Sequence, residues 1–259
     1  MLSRGWHTDL AILLQQGAVV AERPDHLVVT TPSNPLYHWG NLVIVTDPAA
    51  VDDADRWVST FAAAHPGAGH LAIGLPVIPD TKAWAVRGIE ILTDEVLFTD
   101  RMPEVRPLDP RYTSHPLTTD AQWASVIARN CAENERSGDY EPPSHERFLR
   151  NQVADRRLLI ERGFAQWFGA FAEDGSLVSD LGIVDCGSGL ARYQSVETDA
   201  AHRGHGLASH LLGQAARWAA HRGCREWAIV TETTNPAGRL YRSLGFKPDA
   251  VQVRAYRTS

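Results

Sequence analysis

HRGHGLASHLL, residues 202–212, is the stretch whose reading decides this chain. Gly204 and Gly206 follow Arg203 and stand directly ahead of an apolar pattern of helical period. Glycine weakens a helix interior, so a pair at the start of one needs a reason. The first amides of a helix have no intrahelical acceptor, and the helix dipole adds partial positive charge at the same place. Without a Cβ the backbone can approach a ligand closely. A strand, then Arg203-Gly204-His205-Gly206-Leu207-Ala208, then a helix therefore makes a pyrophosphate cradle, with the amides of residues 203–208 as donors. The same pair also suits a plain tight turn from strand into helix. Leu207, Leu211, Leu212, Ala215, Trp218 and Ala219 share one side and would anchor the helix on a sheet.

Other phosphate loops fit poorly. A dinucleotide fingerprint needs G-x-G-x-x-G in an opening βαβ unit, and a triphosphate loop needs GK[ST]; neither occurs here. Upstream of the cradle, three strand-like runs, Phe164–Ala172, Leu177–Val184 and Leu190–Thr198, are separated by the turn signals EDGS and DCGSG and read as an antiparallel meander. Two helices precede them, one over Asp120–Arg136 and one ending near Arg162, in which Ser144 lacks the Glu or Gln of a capping box. After the cradle helix, Gly206–His221, come a strand at Glu226–Val230, a short helix at Pro236–Leu244 and a strand at Phe246–Arg257.

The proline-rich stretch between Thr99 and Thr119 marks a seam, cut at 103/104, with Glu104–Leu108 as a first strand of the second domain. Residues 1–103 read as a small α/β domain. Its expected elements are helices at His7–Gln16 and Asp53–Ala64 and strands at His26–Thr31, Asn41–Thr46, His70–Leu75, Val86–Leu92 and Glu95–Thr99. The fold class is α/β (α+β), two domains that are each a mixed, mostly antiparallel sheet flanked by helices.

The chain has 259 residues, 44% hydrophobic and 22% charged, which suits two folded domains and excludes fibrous and disordered classes. A net charge of −6 with scattered basic residues argues against a nucleic-acid footprint. Three cysteines without a CxxC pair fit a reducing compartment, and LAILL at Leu10–Leu14 is too short for a signal core or a membrane span, so a cytoplasmic protein that meets no membrane is expected. His145-Glu146 lacks the second histidine of a zinc helix, so no metal is expected. Gly187–Gly189 reads as a hairpin turn rather than a nucleophile elbow, and Cys186 and Cys224 read as structural. PLYHWGN, residues 35–41, is an aromatic-polar cluster that suits either a substrate cleft or a loop packed on its own core.

Arg203-Gly204-His205-Gly206-Leu207-Ala208 resembles the [RQ]-x-x-G-x-[GA] hallmark of the GNAT superfamily of acyl-CoA-dependent N-acyltransferases. That family's second signature, an asparagine, an alanine, then LY and GF, is matched by NPAGRLYRSLGF, residues 235–246. The resemblance covers about residues 104–259 and implies a catalytic GNAT domain there. Residues 1–103, which lack the hallmark, would be a degenerate GNAT-like domain, as in tandem members, leaving one active site. It further implies acetyl-CoA, or another short acyl-CoA, as co-substrate, with its pyrophosphate on residues 203–208. The pantetheine arm would lie along Ser195–Thr198, where backbone groups at Val196 and Thr198 bind it and polarise the thioester. Asn235 would complete the cofactor set, and Tyr241 would protonate the departing thiolate.

The acceptor implied is a primary amine of a small molecule or peptide. An ammonium must lose a proton before it attacks, so the site needs a base, and Glu197 is the candidate. Arg192 and Gln194 occupy the positions where some members hold a catalytic glutamate or histidine, so Asp180, Asp185 and Glu161 stay open as bases. Asn235 stands six residues before Tyr241 where seven, the place of Thr234, is usual. The rival readings are a non-catalytic acyl-CoA-binding sensor or scaffold and an N-terminal protein-interaction module. The acceptor, acyl preference and oligomeric state are not legible.

Overall fold

A computed structural model describes residues 2–258. In chain order the helices are α1 (Arg4–Gln16), α2 (Ala54–Ala64), α3 (Thr81–Ala85), α4 (Asp120–Ser137), α5 (Pro142–Glu161), α6 (Leu207–His221) and α7 (Ala237–Ser243). The strands are β1 (Val19–Glu22), β2 (His26–Thr30), β3 (Leu42–Val45), β4 (His70–Leu75), β5 (Glu90–Thr99), β6 (Tyr112–Pro116), β7 (Ala165–Ala172), β8 (Leu177–Asp185), β9 (Leu190–Thr198), β10 (Glu226–Glu232) and β11 (Lys247–Thr258).

Backbone contacts divide the chain into two compact units. One holds Met1–Leu97, Val230–Gly238 and Pro248–Ser259; the other holds Phe98–Ile229 and Arg239–Lys247. This differs from a single cut at 103/104, because β11, the C-terminal strand, pairs antiparallel with β4 over Val253–Thr258. Val253 and Ala255 thereby join the core of the first unit.

In the first unit the strand order is β1-β2-β3-β4-β11-β5. β1, β2 and β3 pair antiparallel, and β3 runs parallel to β4 through Val43↔Ile73 and Ile44↔Gly74. All four residues of β3 are buried, as the parallel partner and covering helices require. Trp57 and Trp84 are wholly buried, and each indole N–H finds a carbonyl, Ala50 O at 2.6 Å and Val51 O at 3.1 Å.

In the second unit the order is β10-β9-β8-β7-β6, antiparallel except for the β9–β10 pair. Along β8, Asp180 pairs with Glu197 and Ile183 with Tyr193; an odd separation puts these pairs on opposite faces. Tyr193 donates to Leu212 O on α6, while Asp180 and Glu197 meet Arg129 of α4, so α6 covers one face and α4 the other. Thr119 and Gln122 close a capping box at the start of α4. α5 opens at Pro142 with Glu141 as its cap, accepting from the Ser144 amide at 2.8 Å.

The strand pattern departs from expectation in five places. β5 is one ten-residue strand, not two, because Asp94 in its middle is no turn residue but is buried and paired with Arg254 at 2.6 Å. Val86 lies outside that strand, just past α3, which Asp80 caps at the Lys82 amide. Residues 104–108 form no strand, since their backbone runs against α6 at Gly213 instead of a sheet edge. β6, unseen in the sequence, is a polar edge strand that ends in Pro116, and β1 is a four-residue edge strand.

Candidate functional site

β9 and α6 build the site between them. Opposite Leu181 of β8, β9 carries one extra residue, so the register jumps from Asp180↔Glu197 to Gly182↔Gln194. Ser195 sits in that bulge at φ 50°, a strained conformation for serine, and Arg156 of α5 donates to its hydroxyl at 2.6 Å. On its other edge β9 pairs with β10 at Leu190–Arg192 and, among the described residues, no further. Ser195–Thr198, the part of β9 that leads to the cradle, thus lies beyond its pairing with β10.

A short 3₁₀ turn, Ala200–His202, capped by Asp199 at the Ala201 amide, links β9 to the glycines. Gly204 and Gly206 adopt φ 82° and 75°, the left-handed region that L side chains rarely enter. A Cβ on either would meet no atom within 4 Å, so the space over the loop is open. Gly206 is the N-cap of α6 and supplies no side-chain cap, leaving the first-turn amides of Leu207 and Ala208 directed into that space. Leu207 is buried, and its anchoring holds those amides in place. The donor set fits a pyrophosphate: backbone N–H groups, a helix dipole and no side chain in the way.

Around the loop, Arg203 Nε donates to Thr198 O at 3.2 Å, and the Thr198 hydroxyl lies 2.8 Å from Ser179 Oγ. His205 Nδ1 lies 3.1 Å from Arg111, whose guanidinium also holds Asp109 and keeps that carboxyl down at about 2. Tyr112 meets His202 at 3.1 Å. His210 donates from Nδ1 to Arg106 O at 2.6 Å, since a carbonyl can only accept, so its Nε2 receives the Ser114 hydroxyl at 2.9 Å. Arg106, Arg111, Tyr112 and Ser114 were not legible as site residues, because their segment shows no periodicity.

Tyr241, on α7, is 4% exposed and packs edge-on to Phe246, which packs likewise on Tyr193 of β9. Burial pushes its phenol up to about 12, so it stays protonated throughout the neutral range. Asn235 caps α7 through its side chain at the Ala237 amide, 2.9 Å.

The carboxylates separate by place. Asp185 pairs with Ala191 at the start of β9, seven residues and roughly 23 Å from Thr198, and Glu161 ends the helix leading to that same edge. Asp180 and Glu197 stand together instead. Arg129 Nη2 lies 2.6 Å from Asp180 Oδ1 and donates to Glu197 Oε2 at 2.6 Å. Burial pushes Asp180 up to about 6, against the opposing pull of Arg129. Cys186 and Cys224 are buried, and burial lifts the Cys224 thiol to about 12, which suits a structural residue rather than a nucleophile. The aromatic-polar cluster packs within its own unit: His38 stacks on His70 at 4.1 Å and meets Tyr256 Oη at 2.8 Å. Among the described residues no helix is long and apolar enough to cross a membrane.

Comparison with known proteins agrees with this geometry. The model of the GNAT acetyltransferase family matches residues 130–246. A streptothricin acetyltransferase of Escherichia coli is 32% identical over 92 residues, 35% of this chain and 52% of that protein, so the match spans about half the length of that relative. Two solved structures share the fold over nearly all of the chain. A GCN5-related N-acetyltransferase from Kribbella flavida superposes with a TM-score of 0.63 at 16% identity over 98% of this chain and 96% of its own. A tandem GNAT protein from the clavulanic acid biosynthesis pathway gives 0.60 at 15% identity over 97% and 87%. Residues 130–246, which contain the glycine cradle, thus match the GNAT acetyltransferase family, and the whole chain shares the fold of these N-acetyltransferase structures.

Proposed function

We propose that the protein transfers an acetyl group from acetyl-CoA to a primary amine of a small molecule or peptide by direct attack. The observation that carries this is the left-handed Gly204–Gly206 loop, which opens the uncapped start of α6 to an anion just past the part of β9 that pairs with β10. The amides of Arg203, Gly204, His205, Gly206, Leu207 and Ala208 would hold the pyrophosphate. Backbone groups of Val196 and Thr198 would bind the pantetheine arm and stabilise charge developing on the thioester oxygen. Asn235, whose side chain accepts from the Ala237 amide at the start of α7, would complete the cofactor set. Tyr241, protonated at neutral pH, would donate toward the departing sulfur, and Glu197, its side chain 43% exposed, would take the ammonium proton. Residues 1–103 would be the degenerate partner domain of a tandem arrangement. Similarity to a streptothricin acetyltransferase makes streptothricin a sensible first acceptor to try.

Calorimetric titration with acetyl-CoA tests this reading. The wild type should bind at micromolar Kd, and Arg203→Glu combined with Gly206→Asp should lose at least about 100-fold, since a carboxylate then fills the cradle. Aspartate tolerates a left-handed conformation better than most residues, so the variant should stay folded. No binding by the folded wild type would reduce the glycines to a turn and sink the reading.

A further inference from the structure

On the sheet face that α4 covers, two carboxylates share one guanidinium nitrogen. Asp180 is 1% exposed, Glu197 faces it across the strand pair, and Arg129, its side chain 10% exposed, places Nη2 2.6 Å from both. Arg129 Nη1 and Asp180 Oδ1 are both buried with no hydrogen-bond partner among the described residues, so Arg129 hydrogen-bonds Glu197 and meets Asp180 as an ion pair. The charged groups facing Asp180 are Arg129 from α4, Arg156 from α5 and Glu197 from β9.

Stability alone gives little reason for the arrangement. Taking two charges out of water costs several kcal/mol each, and apolar packing of the same volume often does as well. A lone Arg129–Glu197 pair would also be a poor base, because a guanidinium favours the charged carboxylate and so resists its protonation. A second carboxylate on the same nitrogen divides that attraction and adds like charge.

Resting on the acetyl-transfer reading above, we propose that Asp180 is a positioning residue: held by Arg129 across from Glu197, it fixes the Glu197 carboxylate near the end of β9 and keeps it a working base. In the step itself an N–H bond of the ammonium breaks, its electron pair stays on nitrogen for attack, and an O–H bond forms on Glu197. One guanidinium and two carboxylates carry a net charge of −1 before the transfer and 0 after it. The half-exposed side of Glu197 then returns the proton to water.

Carboxyl ¹³C titration of the full chain tests the coupling. In Asp180→Asn, where the like charge across the strand pair is gone, the Glu197 carboxyl signal should titrate at lower pH than in the wild type. Coupling between sites is reciprocal, so in Glu197→Gln the Asp180 midpoint should fall by a similar amount. Glu197 is exposed enough for that second variant to fold even if the first does not. With acetyl-CoA and streptothricin as the probe pair, the acid limb of kcat/KM should move down with the Glu197 midpoint in Asp180→Asn, a change that lost stability alone would not produce. An unmoved partner midpoint in either folded variant overturns the positioning role by itself. Failure of the wild type to bind acetyl-CoA overturns the acetyl-transfer reading, and the role with it.

Discussion

Tyr241 shows how burial sets a side chain's chemistry. Enclosed against Phe246, its phenol is pushed up to about 12, so it remains an acid at every pH where the protein would work. Tyr241→Phe keeps the ring and removes only the hydroxyl. With the amine acceptor found, kcat should fall by about 10²-fold with the acetyl-CoA Kd unchanged, as stopped-time assays and calorimetry would register. The wild type should show no alkaline loss of this acid below about pH 10. Glu197 was visible in the sequence as a candidate base, but the guanidinium that holds it was not, because Arg129 lies 68 residues away.

At the scale of elements, α6 is positioned as much by a glycine in its middle as by the pair at its start. A Cβ at Gly213 would lie 2.5 Å from Glu104 O and from Val105 Cα, both backbone atoms. Gly→Ala in a helix interior ordinarily gains up to ~1 kcal/mol, but overpacking against atoms that cannot rotate away costs ~1–3 kcal/mol. The clash should win. Gly213→Ala should lower stability by about 1–2 kcal/mol in urea unfolding, and an unchanged midpoint would show that residues 104–105 move freely. This packing also explains why Glu104–Leu108, strand-like in composition, is no strand. Its backbone at Glu104–Arg106 meets a helix, and composition cannot distinguish a helical neighbour from a sheet.

Across the whole molecule, acid sensitivity should arise largely in the first unit. Burial, and then the charge of His70, holds His38 down at about 4, and His65 and His70 are lowered as well, chiefly by burial. The folded state thus keeps His38 neutral while the unfolded chain takes up a proton below 6.5. Its contribution is fully present above 6.5 and is lost as pH falls toward 4. Between about pH 7.5 and 5, His38 alone should cost on the order of 1–2 kcal/mol after allowance for its partial burial. Asp180, raised to about 6, works in the opposite direction, so the measurement is a comparison. The slope of unfolding free energy against pH should be shallower in His38→Gln than in the wild type, and equal slopes would refute the assignment.

What the sequence determined by itself is what neighbouring residues decide together. The left-handed glycines, the bare start of α6, the capped start of α4, the meander β7–β9 and the order of elements after Asp120 all follow from backbone preference, capping and hydrophobic period within a few residues. Even there the Ser195 bulge stayed hidden, and the side chain that meets it, Arg156, lies on α5, 39 residues away. Tertiary structure alone decided which distant groups meet. It brought β11 beside β4, Arg254 to Asp94, Arg111 to His205, and Arg129 between Asp180 and Glu197. Those pairings depend on burial and charge across tens to hundreds of residues, and no local propensity encodes the dielectric in which a carboxylate will stand.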